Sequence, residues 1–266
     1  MTATAGSDFT GIASTQLTFT PGVTTQPVTV VVQGDLLDEV NETYNVTLSG
    51  PANATVLDGT GVGTITDDDA APTVSWTAAI QSNAESVTPV TVTAQLSATS
   101  GLAVSVPFTL GGTAANPADY TNTASPLSIP AGQTTASITI TVVDDLSDEP
   151  NETVIVTMGA PTNATQGATT VHTATITDDD NPPTVSWTAA SQSNAESVTP
   201  VTVTAQLSAT SALAVSVPFT LGGTAANPAD YTNTASPLSI PAGQTTASVT
   251  ITVVDDLSDE PNETVI

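Results

Sequence analysis

Apolar and small polar residues alternate along most of the chain with a period of two. The alternation is clear in five segments, Val87–Leu96, Ala103–Leu110, Ala136–Val143, Glu152–Met158 and Val171–Thr177. This period places one side of a β-strand in a core and the other side in solvent. Turn-forming runs rich in Gly, Pro, Asn and Asp separate the segments. The pattern therefore predicts an all-β chain of short antiparallel strands arranged as sandwiches.

The chain also repeats itself. The segment PTVSWTAA begins at Pro72 and again at Pro183, which gives a period of 111 residues. Residues 70–155 and 181–266 differ at only five of 86 positions, and residues 1–69 match the back of the same unit more loosely. Such self-similarity is typical of a tandem array. We therefore predict one complete repeat at 70–180, the C-terminal part of a repeat at 1–69 and the N-terminal part of another at 181–266, cut from a longer array.

Aromatic residues at alternating positions indicate the core of the complete repeat. Trp76, Phe108 and Tyr120 are the expected anchors. For Trp76 a carbohydrate-stacking role is the alternative. The single histidine, His172, lies in a predicted strand, where a surface or packing role is expected.

The composition excludes several classes of function. The chain has 26 acidic residues and no lysine or arginine, which gives a formal charge of −26. It therefore lacks the basic surface that nucleic-acid phosphates require. Cysteine is absent and histidine occurs once. The chain therefore has almost none of the side chains that thiolate sites, zinc sites and Ser–His catalysis require. No apolar run is long enough to predict a membrane span.

The acidic residues are concentrated in a few places of each repeat. In the complete repeat they are Glu85, Asp119, Asp144, Asp145, Asp148, Glu149, Glu152, Asp178, Asp179 and Asp180. Antiparallel strand order brings the run at 144–152 and the triplet at 178–180 to the same end of the sandwich. Two carboxylates about 4 Å apart repel by about 4 kcal/mol at an effective dielectric constant of about 20. Ca²⁺, which accepts about six to eight oxygen ligands in flexible geometry, would relieve this repulsion. Solvated turns and scattered halophilic acidity are the alternatives.

Four elements in a fixed order resemble the Calx-beta domain family. They are GSDF (6–9) or PADY (117–120), PG or AG before a strand, DDLSDEPNET (144–153) or its variant at 34–43, and TITDDD at 64–69 and 175–180. The resemblance covers the whole chain in three copies. It implies tandem immunoglobulin-like β-sandwiches, with several Ca²⁺ ions at one end of each complete repeat.

The resemblance also implies the calcium ligands. In the complete repeat they are Glu85, Asp119, Asp144, Asp145, Glu149, Glu152, Asp178, Asp179 and Asp180, with the backbone carbonyl of Ser147, whereas Asp148 is expected to point to solvent. In the first repeat they are Asp8, Asp35, Glu39, Glu42, Asp67, Asp68 and Asp69, with Gly34 in place of Asp144 and no counterpart of Glu85. In the third they are Glu196, Asp230, Asp255, Asp256, Glu260 and Glu263.

These observations predict a calcium-binding structural module, either a rigidifying spacer or an adhesion segment, of a secreted or cell-surface protein. The expected partners are neighbouring repeats of the same chain, with a cell-surface or matrix ligand as a further candidate. A calcium-sensing regulatory domain is the alternative, in which binding shifts a conformational equilibrium. We expect no enzymatic activity, because the paired carboxylates that a glycosidase would use have no evident apolar cleft beside them.

Overall fold

A computed structural model describes residues 2–255 and 261–266 of the chain. Within these ranges every regular element is a β-strand. None of the described residues forms a helix with the length and apolar character needed to cross a membrane. The first repeat contributes β1 (Phe9–Thr10), β2 (Val31–Val32), β3 (Glu42–Thr47) and β4 (Thr60–Ile65). Strands β1 and β2 form one antiparallel pair, and β3 and β4 form a second.

The complete repeat is a two-layer sandwich. Its strands are β5 (Thr73–Trp76), β6 (Ile80–Ala84), β7 (Val90–Leu96), β8 (Val104–Val106), β9 (Phe108–Gly112), β10 (Tyr120–Asn122), β11 (Leu127–Ile129), β12 (Thr135–Val142), β13 (Glu152–Met158), β14 (Thr165–Gln166) and β15 (Val171–Thr177). One sheet has the order β10-β12-β7-β5-β14 and the other has the order β6-β15-β13-β9, while β11 pairs with β8. Most pairs are antiparallel, but β14 with β5 and β15 with β6 are parallel.

The third repeat contains β16 (Val185–Trp187), β17 (Val201–Leu207), β18 (Val215–Val217), β19 (Tyr231–Asn233), β20 (Leu238–Ile240) and β21 (Thr246–Val253). Strands β16-β17-β21-β19 reproduce most of the first sheet of the complete repeat, and β18 pairs with β20. Among the described residues of this repeat, the second sheet is represented only by an isolated antiparallel bridge between Gly223 and Val265, which corresponds to the pairing of β9 with β13. The third repeat is therefore a half-sandwich.

The core of the complete repeat lies between its two sheets, where alternate strand residues point inward. Val74, Ile129, Ile138, Val154 and Val156 are fully buried there. The expected anchors Trp76, Phe108 and Tyr120 belong to the same cluster. The indole N–H of Trp76 donates a hydrogen bond to the carbonyl of Thr170 at 3.1 Å, which satisfies its polar atom.

His172 packs inside the complete repeat. It is 2% exposed, and its Nδ1 donates to the carbonyl oxygen of Ala78 at 2.7 Å. The packing role, one of the two expected for this residue, is therefore the one observed.

The predicted strands agree with the structure except at one place. Strands β13 and β15 have the predicted bounds, and β7 and β12 lie within one to three residues of theirs. The segment Ala103–Leu110, predicted as one strand, is two strands that separate at Pro107. Proline has no N–H to donate to a sheet. The chain changes partner at this residue, because β8 pairs with β11 whereas β9 pairs with β13.

The strand order brings the acidic segments to one end of the complete repeat. Strands β13 and β15 are antiparallel, with Glu152 opposite Ile176. The loop that enters β13 and the triplet that follows β15 therefore lie side by side. Strand β6 runs parallel to β15 and ends beside the same triplet, with Ala84 opposite Thr177.

Candidate metal centre

Three carboxylates meet at this end of the complete repeat. Single carboxylate oxygens of Glu85, Asp178 and Asp180 all lie within 4.8 Å of one another. We call these three residues the carboxylate cluster. Glu85 is only 7% exposed, which is unusual for an acidic residue without a cationic partner. The chain has no lysine or arginine that could supply that partner.

The backbone of two adjoining strands positions the carboxylate cluster. Glu85 follows β6, and its N–H donates to the carbonyl of Thr177 at 3.0 Å. Asp178 follows β15, and its N–H donates to Oδ1 of Asn151 at 3.1 Å. The side chains therefore project from the ends of a hydrogen-bonded sheet, which holds them more precisely than a free loop would.

Further acidic residues surround a small pocket next to the cluster. The pocket has a volume of about 10 Å³ and is lined by Glu85, Asp119, Glu149, Pro150, Glu152, Ile176 and Asp178. A space of this size suits a single atom-sized occupant such as a water or an ion. Five carboxylates therefore face one small volume.

Burial, together with the crowding of like charges, raises the pKa values of these carboxyl groups. Burial, with the charges of Asp145, Glu149 and Asp180, raises the pKa of Glu85 to about 7, although a hydrogen bond from the Asp145 N–H opposes the shift. Burial and a hydrogen bond with Asp119 raise the pKa of Glu152 to about 7. Burial followed by neighbouring aspartates also raises the pKa values of Glu149 and Asp180. The carboxylates of this site repel one another when they are ionised, and a bound cation would relieve that repulsion.

The remaining predicted ligands of the complete repeat occupy different positions. The Asp145 N–H donates to Oε1 of Glu85 at 3.3 Å, while its carboxylate accepts from the Ser147 N–H at 2.7 Å. The side chains of Asp144 and Asp179 are exposed. Asp179 accepts a hydrogen bond from the Ser86 hydroxyl. The structure thus brings six of the nine predicted acids to the cluster and its pocket and leaves Asp144, Asp145 and Asp179 at the rim.

Asp148 does not point to solvent, and that expectation was wrong. Its Oδ2 accepts a hydrogen bond from the hydroxyl of Ser211 in the third repeat at 3.0 Å. A hydroxyl donor at this distance from a carboxylate oxygen makes a regular hydrogen bond. The Asp148 side chain therefore faces the third repeat.

The first repeat gathers a second group of acids. Burial raises the pKa of Glu39, and the charges of Asp35, Asp8, Asp67 and Asp69 raise it further. Burial and a hydrogen bond with Asp8 raise the pKa of Glu42. A backbone hydrogen bond from the N–H of Thr4 lowers the pKa of Asp8. Asp35 and Asp68 are exposed.

The third repeat does not assemble a comparable site from its described residues. Glu196, Asp255 and Glu263 are exposed, and Asp230 is half-buried. The carboxylate of Asp230 accepts a hydrogen bond from the Ala226 N–H at 2.6 Å, as Asp119 does from Ala115. The predicted ligands Asp256 and Glu260 lie outside the described residues.

An asparagine that the sequence analysis did not assign to the site orients the acidic triplet. Oδ1 of Asn151 accepts a hydrogen bond from the Asp178 N–H at 3.1 Å. In the first repeat, Oδ1 of Asn41 accepts the equivalent hydrogen bond from the Asp67 N–H at 3.0 Å. Both asparagines stand directly before the Glu-Thr of the same repeated motif. Their identical place in the repeat is the signal that could have identified them.

The donor set fits a hard divalent cation. Oδ1 of Asp178 is buried and has no hydrogen-bond partner among the described residues. An unpartnered buried oxygen is costly unless a ligand satisfies it. All available donors are oxygens, which suit Ca²⁺ better than zinc or copper.

Comparison with known proteins supplies the family. The profile of the Calx-beta domain matches residues 1–70, 67–181 and 178–266. No curated protein sequence matches the chain. Similar solved structures include CBD12 from CALX1.2, at 19% identity over 70% of this chain and 76% of that chain, with a TM-score of 0.38. Another is the apo-form Calx CBD1 domain, at 22% identity over 41% of this chain and 98% of that chain, also with a TM-score of 0.38.

The three matches of the Calx-beta profile together cover the whole chain, and the all-β fold with its acidic strand ends agrees with the resemblance found in the sequence. The chain therefore belongs to the Calx-beta domain family.

Proposed function

We propose that this chain is a calcium-binding structural module, which acts as a rigidifying spacer or adhesion segment of a secreted or cell-surface protein. The observation that carries the proposal is the carboxylate cluster, in which Oδ1 of Asp178 is buried beside Glu85 and Asp180 and has no hydrogen-bond partner in the described part of the chain. A bound Ca²⁺ would supply the positive charge that the chain itself lacks. Glu85, Asp178 and Asp180 would hold it, with Asp119, Glu149 and Glu152 lining the adjoining pocket.

The position of the cluster supports a structural role. The triplet at 178–180 ends the complete repeat and leads directly into Pro182 and Pro183, whose fixed φ angles stiffen the connection. The acids of the run at 144–152 lie at the same end, and Asp148 contacts the next repeat. Cation binding at this junction would order both the connection and the contacting loop.

A non-catalytic role fits the same residues. The pocket beside the cluster is too small for a sugar or peptide, at about 10 Å³. Acidic residues in every repeat, in the same order, suit a function that is multiplied along an array. Extracellular calcium is abundant, so sites with dissociation constants of about 10⁻⁴ to 10⁻³ M would be filled there.

Titration calorimetry of the full chain with calcium and with magnesium tests the proposal. We expect calcium-selective binding that Asp178→Asn abolishes in the complete repeat. Asp179→Asn is the matched control, because its exposed carboxylate already bonds Ser86, and we expect it to keep most of the binding. Absence of calcium binding in the parent chain would refute the proposal. Steep cooperative binding near micromolar calcium would favour a sensor over a spacer.

A further inference from the structure

Successive repeats contact each other through the same pair of residues at both junctions. The Ser100 hydroxyl of the complete repeat donates to Oδ2 of Asp38 in the first repeat at 2.9 Å. The Ser211 hydroxyl of the third repeat donates to Oδ2 of Asp148 in the complete repeat at 3.0 Å. Ser100 and Ser211 are each 1% exposed, and Asp38 is also buried, whereas Asp148 is half-buried. The two serines are 111 residues apart and the two aspartates are 110 residues apart, so the contact recurs with the repeat.

A backbone hydrogen bond reinforces each side-chain contact. The Gly101 N–H donates to the carbonyl of Asp38 at 2.9 Å, and the Ala212 N–H donates to the carbonyl of Asp148 at 3.0 Å. Each aspartate therefore engages the neighbouring repeat through both its side chain and its main chain. Two bonds to one residue fix its orientation as well as its distance.

The serine is held in a socket built by its own repeat. The Ser100 carbonyl accepts from the Gly132 N–H at 2.9 Å, and its hydroxyl oxygen accepts from the Leu102 N–H at 3.0 Å. Gly132 has a φ of +78°, which favours glycine at this turn. The third repeat reproduces the socket with Gly243 and Leu213, at 2.8 and 3.0 Å around Ser211. The socket is therefore prearranged by the fold.

We infer that Asp38–Ser100 and Asp148–Ser211 are two copies of one clasp, an interaction surface whose partner is the next repeat. At each junction the earlier repeat offers an aspartate on the loop before β3 or β13, and the later repeat receives it on the serine socket. A head-to-tail contact repeated with the same residues generates an array with a regular geometry. Without such a clasp, domains joined by short linkers move relative to one another. The contact itself does not depend on the proposed spacer function. Only its role in setting the geometry of an array rests on that proposal.

One natural difference between the repeats lies at the clasp. A Cβ on Gly101 would lie 2.8 Å from Cγ of Glu39, the residue that follows Asp38. Ala212 carries that methyl group at the second junction, and there Glu149, which follows Asp148, lines the carboxylate pocket. The Asp–Ser pair is common to both junctions, whereas the residue that follows the serine is glycine at one and alanine at the other.

Distance measurement between two spin labels on the full chain tests the clasp. Gln95 and Gln206 occupy equivalent exposed positions of neighbouring repeats, and the chain has no native cysteine, so Gln95→Cys with Gln206→Cys gives a unique label pair. We expect one narrow distance distribution for this parent in calcium-containing buffer. Ser211→Ala and, from the other side of the contact, Asp148→Ala should each abolish the single narrow distribution.

Ser100→Ala is the matched control. It makes the same chemical change at the other junction and should leave the distribution between residues 95 and 206 narrow. The clasp is refuted if Ser211→Ala and Asp148→Ala both leave the distribution unchanged, or if Ser100→Ala broadens it equally. Calorimetry on the same samples separates the two proposals. A parent that binds no calcium but keeps a clasp-dependent distribution would refute the calcium module and support the clasp.

Discussion

The complete and third repeats differ at five of 86 shared positions, yet they place equivalent residues in opposite environments. Val74 is fully buried, whereas Val185 is 42% exposed. Trp76 is 2% exposed, whereas Trp187 is 46% exposed. The sequences of these strands are the same, so the difference arises from what covers them. In the complete repeat β13 and β15 form the centre of the second sheet, whereas the described residues of the third repeat provide only the bridge between Gly223 and Val265 on that side.

Strand β6 shows the same dependence at the level of secondary structure. Residues 80–84 form a strand that pairs in parallel with β15, from Ile80–Thr173 to Ala84–Thr177. The equivalent residues 191–195 form no strand. The two segments differ only at Ile80, whose counterpart is Ser191, and the other four residues have little intrinsic strand preference. Both Ile80 and the pairing partner therefore favour the strand in the complete repeat. Glu85 is buried at the end of this strand, whereas its counterpart Glu196 is exposed. The burial of Glu85 therefore depends on its pairing with the second sheet, in which β15 also leads into the triplet that supplies Asp178 and Asp180.

The largest expected effect is a tryptophan substitution made in each repeat. Trp76→Ala should cost about 3–5 kcal/mol in the free energy of unfolding of the complete repeat, because it removes a buried ring. It also removes the hydrogen bond to Thr170. Trp187→Ala should cost far less, because nearly half of that side chain is already exposed. Scanning calorimetry, with the complete repeat as the higher-melting transition, measures both. Equal losses in the free energy of unfolding of the two repeats would contradict the conclusion that the third repeat is a half-sandwich.

Supplying the missing layer should convert the third repeat toward the complete one. A groove of about 830 Å³, lined by Trp187, Phe219, Leu221 and Val249 among others, marks the uncovered face. Residues 261–266, which equal residues 150–155, already line the groove. We expect a peptide with the sequence of residues 156–180 to bind beside them and stabilise the repeat by about 2.7 kcal/mol at 100 times its Kd. Trp187 fluorescence in a Trp76→Phe background should shift to the blue. A scrambled peptide is the control, and equal shifts with both would contradict the prediction.

The pH dependence of stability should distinguish the two repeats in the absence of metal. The pKa values of Glu85 and Glu152 are about 7 in the folded complete repeat, against 4.5 as the ordinary value. The folded state therefore binds these protons more tightly than the unfolded chain does. The resulting stabilisation is fully present below pH 4.5 and is lost as pH rises to about 7. Melting temperatures in metal-free buffers measure it. Glu85→Gln should flatten the curve, and a rise in stability across this window would contradict the account.

The smallest expected effect concerns a natural difference between the repeats. Ile138 is fully buried in the closed core, and its counterpart Val249 is 2% exposed but lines the open groove. Ile138→Val should cost about 0.5–1.5 kcal/mol, because it removes one methylene from a packed site. The reverse change Val249→Ile should be nearly neutral, because the groove has room for the added methylene. Denaturant unfolding of both variants checks the pair, and a clear loss from Val249→Ile would mean that the groove is closed.

Sequence reasoning reached the parts of the fold that depend on local pattern. Strands β13 and β15 alternate strictly and have the predicted bounds. The convergence of the 144–152 run and the 178–180 triplet follows from antiparallel order and is confirmed by the Glu152–Ile176 pairing. The split of one predicted strand at Pro107 was missed, although proline is itself a signal for it.

The missed features depend on partners distant in the sequence. Strand β6 forms only beside β15, more than 90 residues later. Asp148 was expected to face solvent because it stands outside the family's ligand pattern, but its partner Ser211 lies in the next repeat. Its equivalence to Asp38, and the equivalence of Ser100 to Ser211, could have indicated a shared contact. No pattern within a single repeat could have shown it.

Thermal unfolding of the full chain under calcium titration, followed by one tryptophan at a time, tests the central claim most directly. In a Trp187→Phe variant Trp76 reports the complete repeat, and in a Trp76→Phe variant Trp187 reports the third. We predict that calcium raises the melting midpoint reported by Trp76 well above the midpoint reported by Trp187, and that magnesium at the same concentration does not. The reason is that a ligand bound only by the native state stabilises that state. An unchanged Trp76 midpoint at millimolar calcium would contradict the account.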